Sequence, residues 1–232
     1  MTDFLKVLLL LSVSSSSGRK VWDAFEGLGL PPEEFLRGGP SLWERLGCSP
    51  EMASGMESLL GKDFPEREAE RTTSAGIRLV TFRNDDYPDA LRELPDGPLL
   101  LFVRGEGPLV GAMTSVVGTR RCSVYGERGA SELGAFLASS GGVVVSGGAE
   151  GIDGAAHEGC LSASGSTVAV FGTGVDVVYP RGHRGLYERI LEGGGALVSE
   201  YPMGTPPRPW RFPERNRIIA GLSDRLVVVE AP

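Results

Sequence analysis

The chain has 232 residues, enough for one large domain or two small ones. Its 41% hydrophobic and 23% charged residues are ordinary for a globular protein, and its net charge of −7 argues against a protein that coats nucleic acid through bulk charge, though not against a local basic groove. Cys48, Cys122 and Cys160 lie far apart with no CxxC pair, which excludes a disulfide framework and a zinc ribbon and suits a reducing cytoplasm; having only His157 and His183 argues against a histidine-rich metal site.

Residues 1 to about 75 read as a small helical module. Leu5, Leu8, Leu9 and Val13 make one apolar stripe, Val21, Trp22 and Phe25 a second, Leu42, Trp43 and Leu46 a third, and Met52, Met56, Leu59 and Leu60 a fourth. Breaks fall at Ser14–Gly18, Gly27–Pro32, Gly38-Gly39-Pro40 and Gly47–Pro50. The run Val7–Leu11 is preceded by Asp3 as well as Lys6 and lacks a small-x-small cleavage site, so it reads as a buried first helix, with a signal peptide as the alternative. A charged helix over 64–75 leads to Gly76, a plausible C-cap.

Strands are expected at 77–82 and 99–103, with a short helix at 89–94 between them. From Thr114 onward a repeated pattern dominates. Short β-branched apolar runs at 114–117, 143–145, 168–171, 196–198 and 226–229 each end in Gly, Ser, Thr, Arg or Glu. Helices are expected at 125–139, with Ala130, Leu133, Phe136 and Leu137 toward the sheet, and at 152–163, 186–192 and 217–222. Strands buried on both faces and separated by helices predict an α/β fold, a mostly parallel sheet with right-handed crossovers and helices on both faces. The carboxyl ends of parallel strands share one rim, where open α/β sheets bind ligands. Bare backbone N–H groups, hydroxyls and an arginine on that rim would suit phosphate.

Four segments carry the candidate chemistry. Gly118-Thr119-Arg120 offers close backbone approach, a hydroxyl and a forked cation; its bland reading is an ordinary turn with a solvated arginine. Ser146-Gly147-Gly148 opens a helix carrying Asp153 and His157 four residues apart. These are either an acid–base pair or, as favoured here because no nucleophile accompanies them, a cap and a packed histidine. Gly172-Thr173-Gly174 starts like a dinucleotide fingerprint, but Val177 stands where the third glycine belongs, and no P-loop exists, so no cofactor is expected. Residues 201–219 are rich in proline and interleave Arg208, Arg211, Arg215 and Arg217 with Tyr201, Trp210 and Phe212. Guanidinium groups and flat apolar faces along one loop suit single-stranded nucleic acid.

Assembled, these residues resemble the DNA processing protein A family (DprA, also called Smf). The matching elements are Val117–Arg120 with Tyr125-Gly126, Ser146–Asp153 with Ala156-His157, and Gly172–Gly174 with Asp176 and Tyr179-Pro180. Ser199–Pro202, Gly204–Pro209 and Phe212-Pro213 with Arg215–Ser223 complete the set, which covers most of 114–230. Weaker similarity runs through Asp86–Pro88, Leu94–Asp96 and Phe102–Gly105. The resemblance implies a SAM-like helical domain over 1–75 and a Rossmann-like domain over 76–232. It implies a protein that binds single-stranded DNA without cleaving it, protects incoming DNA in natural transformation, loads the RecA recombinase and usually acts as a dimer. The implied DNA-binding residues are Gly118, Thr119, Arg120, Ser146, Gly147, Gly148, Gly172, Thr173, Gly174, Arg211, Phe212, Arg215, Asn216 and Arg217, with no catalytic or metal-binding residue.

Three departures from the family pattern stand out. Glu150 occupies a position that is commonly basic or neutral, His183 replaces a usual asparagine, and the chain stops at Pro232 where the family normally continues. The last departure puts dimerisation and RecA contact in question and would leave 226–229, apolar on both faces like an interior strand, as a sheet edge. The competing readings are a nucleotide-cleaving phosphoribohydrolase of the related Rossmann group and a degenerate fragment that does not bind. Against the first, no Pro-Gly-Gly precedes and no glutamate trails Gly172–Gly174.

Overall fold

The fold is seen in a computed structural model that describes residues 1–13 and 17–231. Five helices come first: α1 (Asp3–Ser12), α2 (Ser17–Glu26), α3 (Pro32–Arg45), α4 (Pro50–Leu60) and α5 (Phe64–Ser74). α1 is not a striped helix; Val7 to Leu11 are all fully buried, and Thr2 caps it by accepting the Leu5 N–H at 3.3 Å. The expected break at Gly38–Pro40 is a kink within α3, where Gly39 takes φ 58° ahead of Pro40. Of the expected Ser14–Gly18 break, residues 14–16 lie outside the described residues.

The remaining elements are β1 (Ile77–Thr81), α6 (Asp89–Glu93), β2 (Leu100–Gly105), β3 (Met113–Val117), α7 (Val124–Ser139), β4 (Val143–Ser146), α8 (Ile152–Ser162), β5 (Thr167–Val170), α9 (Arg184–Glu192), β6 (Ala196–Ser199), α10 (Arg211–Gly221) and β7 (Arg225–Val228). Among the described residues they form one seven-stranded sheet in the order β1-β2-β6-β5-β4-β3-β7. Strands β3 to β7 run parallel, while β1 and β2 pair antiparallel at one edge. The chain is therefore α/β with a mostly parallel sheet preceded by helices.

Alternation along each strand divides the helices between the two faces. Val144, Ala169 and Leu197 face α7, α8 and α9, while Val145, Val168, Val170 and Val198 face the other way, toward α10 and the N-terminal helices. A single apolar cluster runs from Val7 and Trp22 through Leu101 and Val103 to Val170 and Ile218, so the helical segment shares its core with the sheet. The Arg83 guanidinium clamps that junction, 4.4 Å from the Phe4 ring centre and 2.6 Å from Glu26.

One expectation fails locally. Phe136, expected on the sheet side of α7, is 66% exposed. The buried line of that helix is Gly126, Ala130 and Gly134, whose small side chains let α8 approach closely; a Cβ on Gly134 would press into the Ala156 carbonyl and sit 3.0 Å from the Cys160 nitrogen. β7, expected to lie at a sheet edge despite the apolar composition of an interior strand, does so among the described residues: it pairs with β3, with Leu226 and Val228 half exposed. Among the described residues β1 and β2 lie at the opposite edge.

Candidate nucleic-acid interface

Because β3 to β7 run parallel, the turns at Gly118–Arg120, Ser146–Gly148, Gly172–Gly174 and Ser199–Glu200 do gather on one edge. The expectation that their backbone donors stand bare fails at Gly147, Thr119 and Gly174, whose N–H groups the chain itself holds, and carboxylates also take N–H groups beside the turns. Asp153 accepts the Gly147 N–H at 3.1 Å and the Ala149 N–H at 3.3 Å. Glu230 accepts the Ser123 N–H at 3.0 Å and its hydroxyl at 2.7 Å, at the start of α7. Asp176 accepts the Gly204 N–H at 2.8 Å, and Glu68 of α5 accepts the Met203 N–H at 2.6 Å.

The glycine turns are equally full. A Cβ on Gly118 would lie 2.6 Å from the Glu230 carbonyl and 2.7 Å from Ile152, and one on Gly147 would meet Arg215 and Asp153. Thr119 donates its N–H to Glu230 O at 2.8 Å and accepts from Arg121 N–H on its hydroxyl. Ser146 is buried and donates to Val116 O at 2.6 Å. Thr173 is buried with its hydroxyl at 3.1 Å from Val177 O, and Gly172 lies beneath the Phe212 ring. Gly148, at φ +65°, turns its carbonyl to the Tyr187 hydroxyl at 2.7 Å and His183 Nδ1 at 3.0 Å.

The expected loop at 212–217 is the first part of a helix. Pro213 does not prevent α10 from beginning at Arg211, because a first-turn N–H has no intrahelical acceptor in any case. Helical phase then separates residues that a loop would have strung together. Arg215 points inward, only 3% exposed, donating to Gly147 O at 2.8 Å and to Val170 O. Burial draws its guanidinium down to about 10, so it keeps its proton at neutral pH, and burial pushes the neighbouring Asp153 carboxyl up. Arg217 turns the other way, forking onto buried Glu200 at 3.0 and 2.7 Å with Asp96 at 3.2 Å. Arg211 lies between Tyr201 and Trp210, 5.0 and 4.8 Å from their ring centres. Asn216 stays exposed.

Asp153 and His157 do not form a pair. The Thr167 hydroxyl donates to Val144 O at 2.7 Å, so its oxygen must accept from His157 Nδ1–H at 2.8 Å. Nε2 is then the bare nitrogen, buried without a partner, and burial lowers the imidazole to about 3. Among the described residues no group of three or more His, Cys, Asp or Glu side chains could hold a metal ion.

Over the Gly147 turn lies an open cleft of about 430 Å³ lined by Arg120, Glu150, Tyr179, Arg181, Pro207 and Phe212, with Gly147 and the buried Arg215 also in its wall. Exposed Arg120 stacks on Phe212 at 5.2 Å, and Tyr179, 41% exposed, flanks the same ring at 5.2 Å with 31° between the planes. Sequence reasoning missed Tyr179 and Arg181 as site residues. The signal was present, since Tyr179-Pro180-Arg181 repeats the aromatic–proline–arginine pattern that singled out 201–217. A second cleft of about 360 Å³ shares Arg120 and runs past Asn216 and Ile219 to Leu226 and Val228 on β7.

The family model for DNA recombination-mediator protein A matches residues 78–232. The chain belongs to that family. It is 45% identical over 154 residues to Protein Smf of Escherichia coli K12, a match that covers 66% of this chain and 41% of that protein. The chain thus spans less than half the length of that curated relative. The X-ray structure of DNA processing protein A from Streptococcus pneumoniae superposes with a TM-score of 0.76 at 30% identity, covering 98% of this chain and 77% of that one. DNA processing protein A from Helicobacter pylori, whose structure is described by its single-stranded DNA binding mode, superposes with a TM-score of 0.60 at 30% identity over 68% of this chain and 71% of that one. The likeness to the S. pneumoniae protein therefore takes in the N-terminal helices as well as the sheet.

Proposed function

We propose that this chain binds single-stranded DNA along the outer lip of the rim and serves as a cytoplasmic recombination mediator, a binding protein without turnover. The observation that carries the reading is the open row Arg120, Phe212 and Tyr179. A guanidinium supplies charge for phosphate, and the exposed Tyr179 ring beside the half-buried Phe212 supplies surface on which unpaired bases stack. Arg120, Phe212 and Arg181 are the primary contacts in this reading, while Arg215, Arg217, Thr173 and Ser146 hold the lip in place. Asn216 extends the path toward the second cleft. The relatives' descriptions as DNA recombination mediators and the single-stranded DNA binding of the H. pylori protein support the substrate class. RecA loading, dimerisation and the division at residue 75 into a SAM-like and a Rossmann-like domain belong to the same proposal.

The nucleotide-cleaving alternative draws nothing from the geometry, since Asp153 is spent on backbone N–H groups and His157 on Thr167. Anisotropy titrations with single-stranded and duplex oligonucleotides across a salt series test the proposal. Single strands should bind more tightly, with affinity falling by about 0.7 log units per log unit of salt for each phosphate neutralised. Equal affinity for duplex would overturn it.

A further inference from the structure

Among the acidic side chains around the rim, Glu150 is the exception. Asp153, Asp176 and Glu230 are each held by backbone N–H groups, and Glu200 is held by Arg217. Glu150 sits exposed in the turn between β4 and α8 and lines the cleft with Tyr179, Arg181 and Phe212. Among the described residues its carboxylate has no hydrogen bond or ion pair. A carboxylate in that place repels phosphate. Toward a ligand it can act favourably only as an acceptor, and an unpaired base stacked beside it presents a Watson–Crick edge.

The four bases differ on that edge. Guanine alone places two donors side by side, N1–H and N2–H, matching the two oxygens of a carboxylate. Adenine and cytosine set one amino donor beside a ring nitrogen acceptor, and thymine flanks its N3–H with two carbonyls; those acceptors would face the carboxylate's negative charge. A base stacked on the exposed face of Tyr179 lies in the same cleft as Glu150, with Arg120 and Arg181 available for the flanking phosphates. We propose that Glu150 makes this cleft a guanine-selective subsite, so that the protein prefers single strands that present an unpaired guanine there. This rests on the single-stranded DNA reading above and deepens it.

The test uses the full 232-residue chain and a short fluorescent oligothymidylate, compared with the same oligomer carrying one central dG, dA or dC, at fixed low salt. The single dG should tighten binding about fivefold, the lower end of what a bidentate base contact supplies at a solvated edge, and dA and dC should not. In Glu150→Gln the dG advantage should disappear while the oligothymidylate binds more tightly, because a charge opposing phosphate is gone. Equal binding of all four oligomers by the native chain overturns the proposal, as does a dG advantage that survives Glu150→Gln. The two failures are distinguishable: oligothymidylate binding without a dG preference removes only the guanine subsite, whereas no binding of any oligomer removes the DNA reading itself.

Discussion

The inner turns of the rim and the outer lip beside them use the same residue types in opposite states. Inside, several donors of the strand turns are taken by the chain itself: Asp153 holds the Gly147 N–H, and the Glu230 and Thr205 carbonyls hold those of Thr119 and Gly174. Arg215 and Arg217, which read as DNA ligands along a loop, are built into the wall by Gly147, Val170 and Glu200. Outside, Arg120, Arg181, Tyr179 and Phe212 border an open cleft, which Gly147 and Arg215 touch only from its wall. A glycine-rich rim is therefore a framework here, and the charged and aromatic side chains that reach past it make the surface that meets a ligand.

The sharpest way to break that contrast is to cut the framework. Arg215→Ala would leave Asp153 buried without its cation, and should cost about 3–5 kcal/mol of stability in denaturant unfolding. A variant that folds normally yet loses DNA would move Arg215 to the ligand side. Acid should find the framework's weak point at His157, whose pKa falls from 6.5 unfolded to about 3 in the folded chain. The unfolded chain takes up the proton first, so this contribution is present above about 6.5 and drains as pH falls toward 3, by up to about 1.4 kcal/mol per pH unit. His157→Leu should flatten that part of a stability–pH series; an unchanged slope would show that other groups set acid sensitivity.

On the lip, Phe212→Ala should lower single-strand affinity by about 1–3 kcal/mol and leave stability and salt dependence nearly unchanged. Unaltered binding would mean that the ring only roofs Gly172. Between the two regions lies the contact by which α5 holds the strand of chain leading to the lip. Glu68, 1% exposed, accepts the Met203 N–H. Burial pushes its carboxyl up, opposed by that hydrogen bond and by Arg71. Glu68→Ala leaves the N–H unpaired and should cost about 1 kcal/mol of stability with a smaller loss of affinity. No change in either would detach the helices from the site.

Much of this was legible in the sequence because it is periodic. The seven strands fall within a residue or two of their apolar runs, and the shared rim follows from their parallel order. What was not legible is long-range satisfaction. Ser123 meets Glu230 across 107 residues and Met203 meets Glu68 across 135, and no local pattern announces either. Phe136 was misplaced because Gly126, Ala130 and Gly134, weak in any hydrophobic count, form the face that packs. Proline in 201–217 suggests a loop that would string the arginines together; as the opening turns of α10, Arg211, Arg215 and Arg217 point in different directions.

The central claim, that charge on the lip and not within the rim meets DNA, is tested most directly by the salt slope of single-strand binding in two folded variants. Arg120→Ala removes an exposed cation and should shallow the log–log slope by about 0.7. The pair Arg217→Met with Glu200→Leu replaces a buried ion pair by apolar side chains, an exchange that is often neutral for stability, and should leave the slope as it was. A slope that drops for the paired replacement and holds for Arg120→Ala would contradict the account.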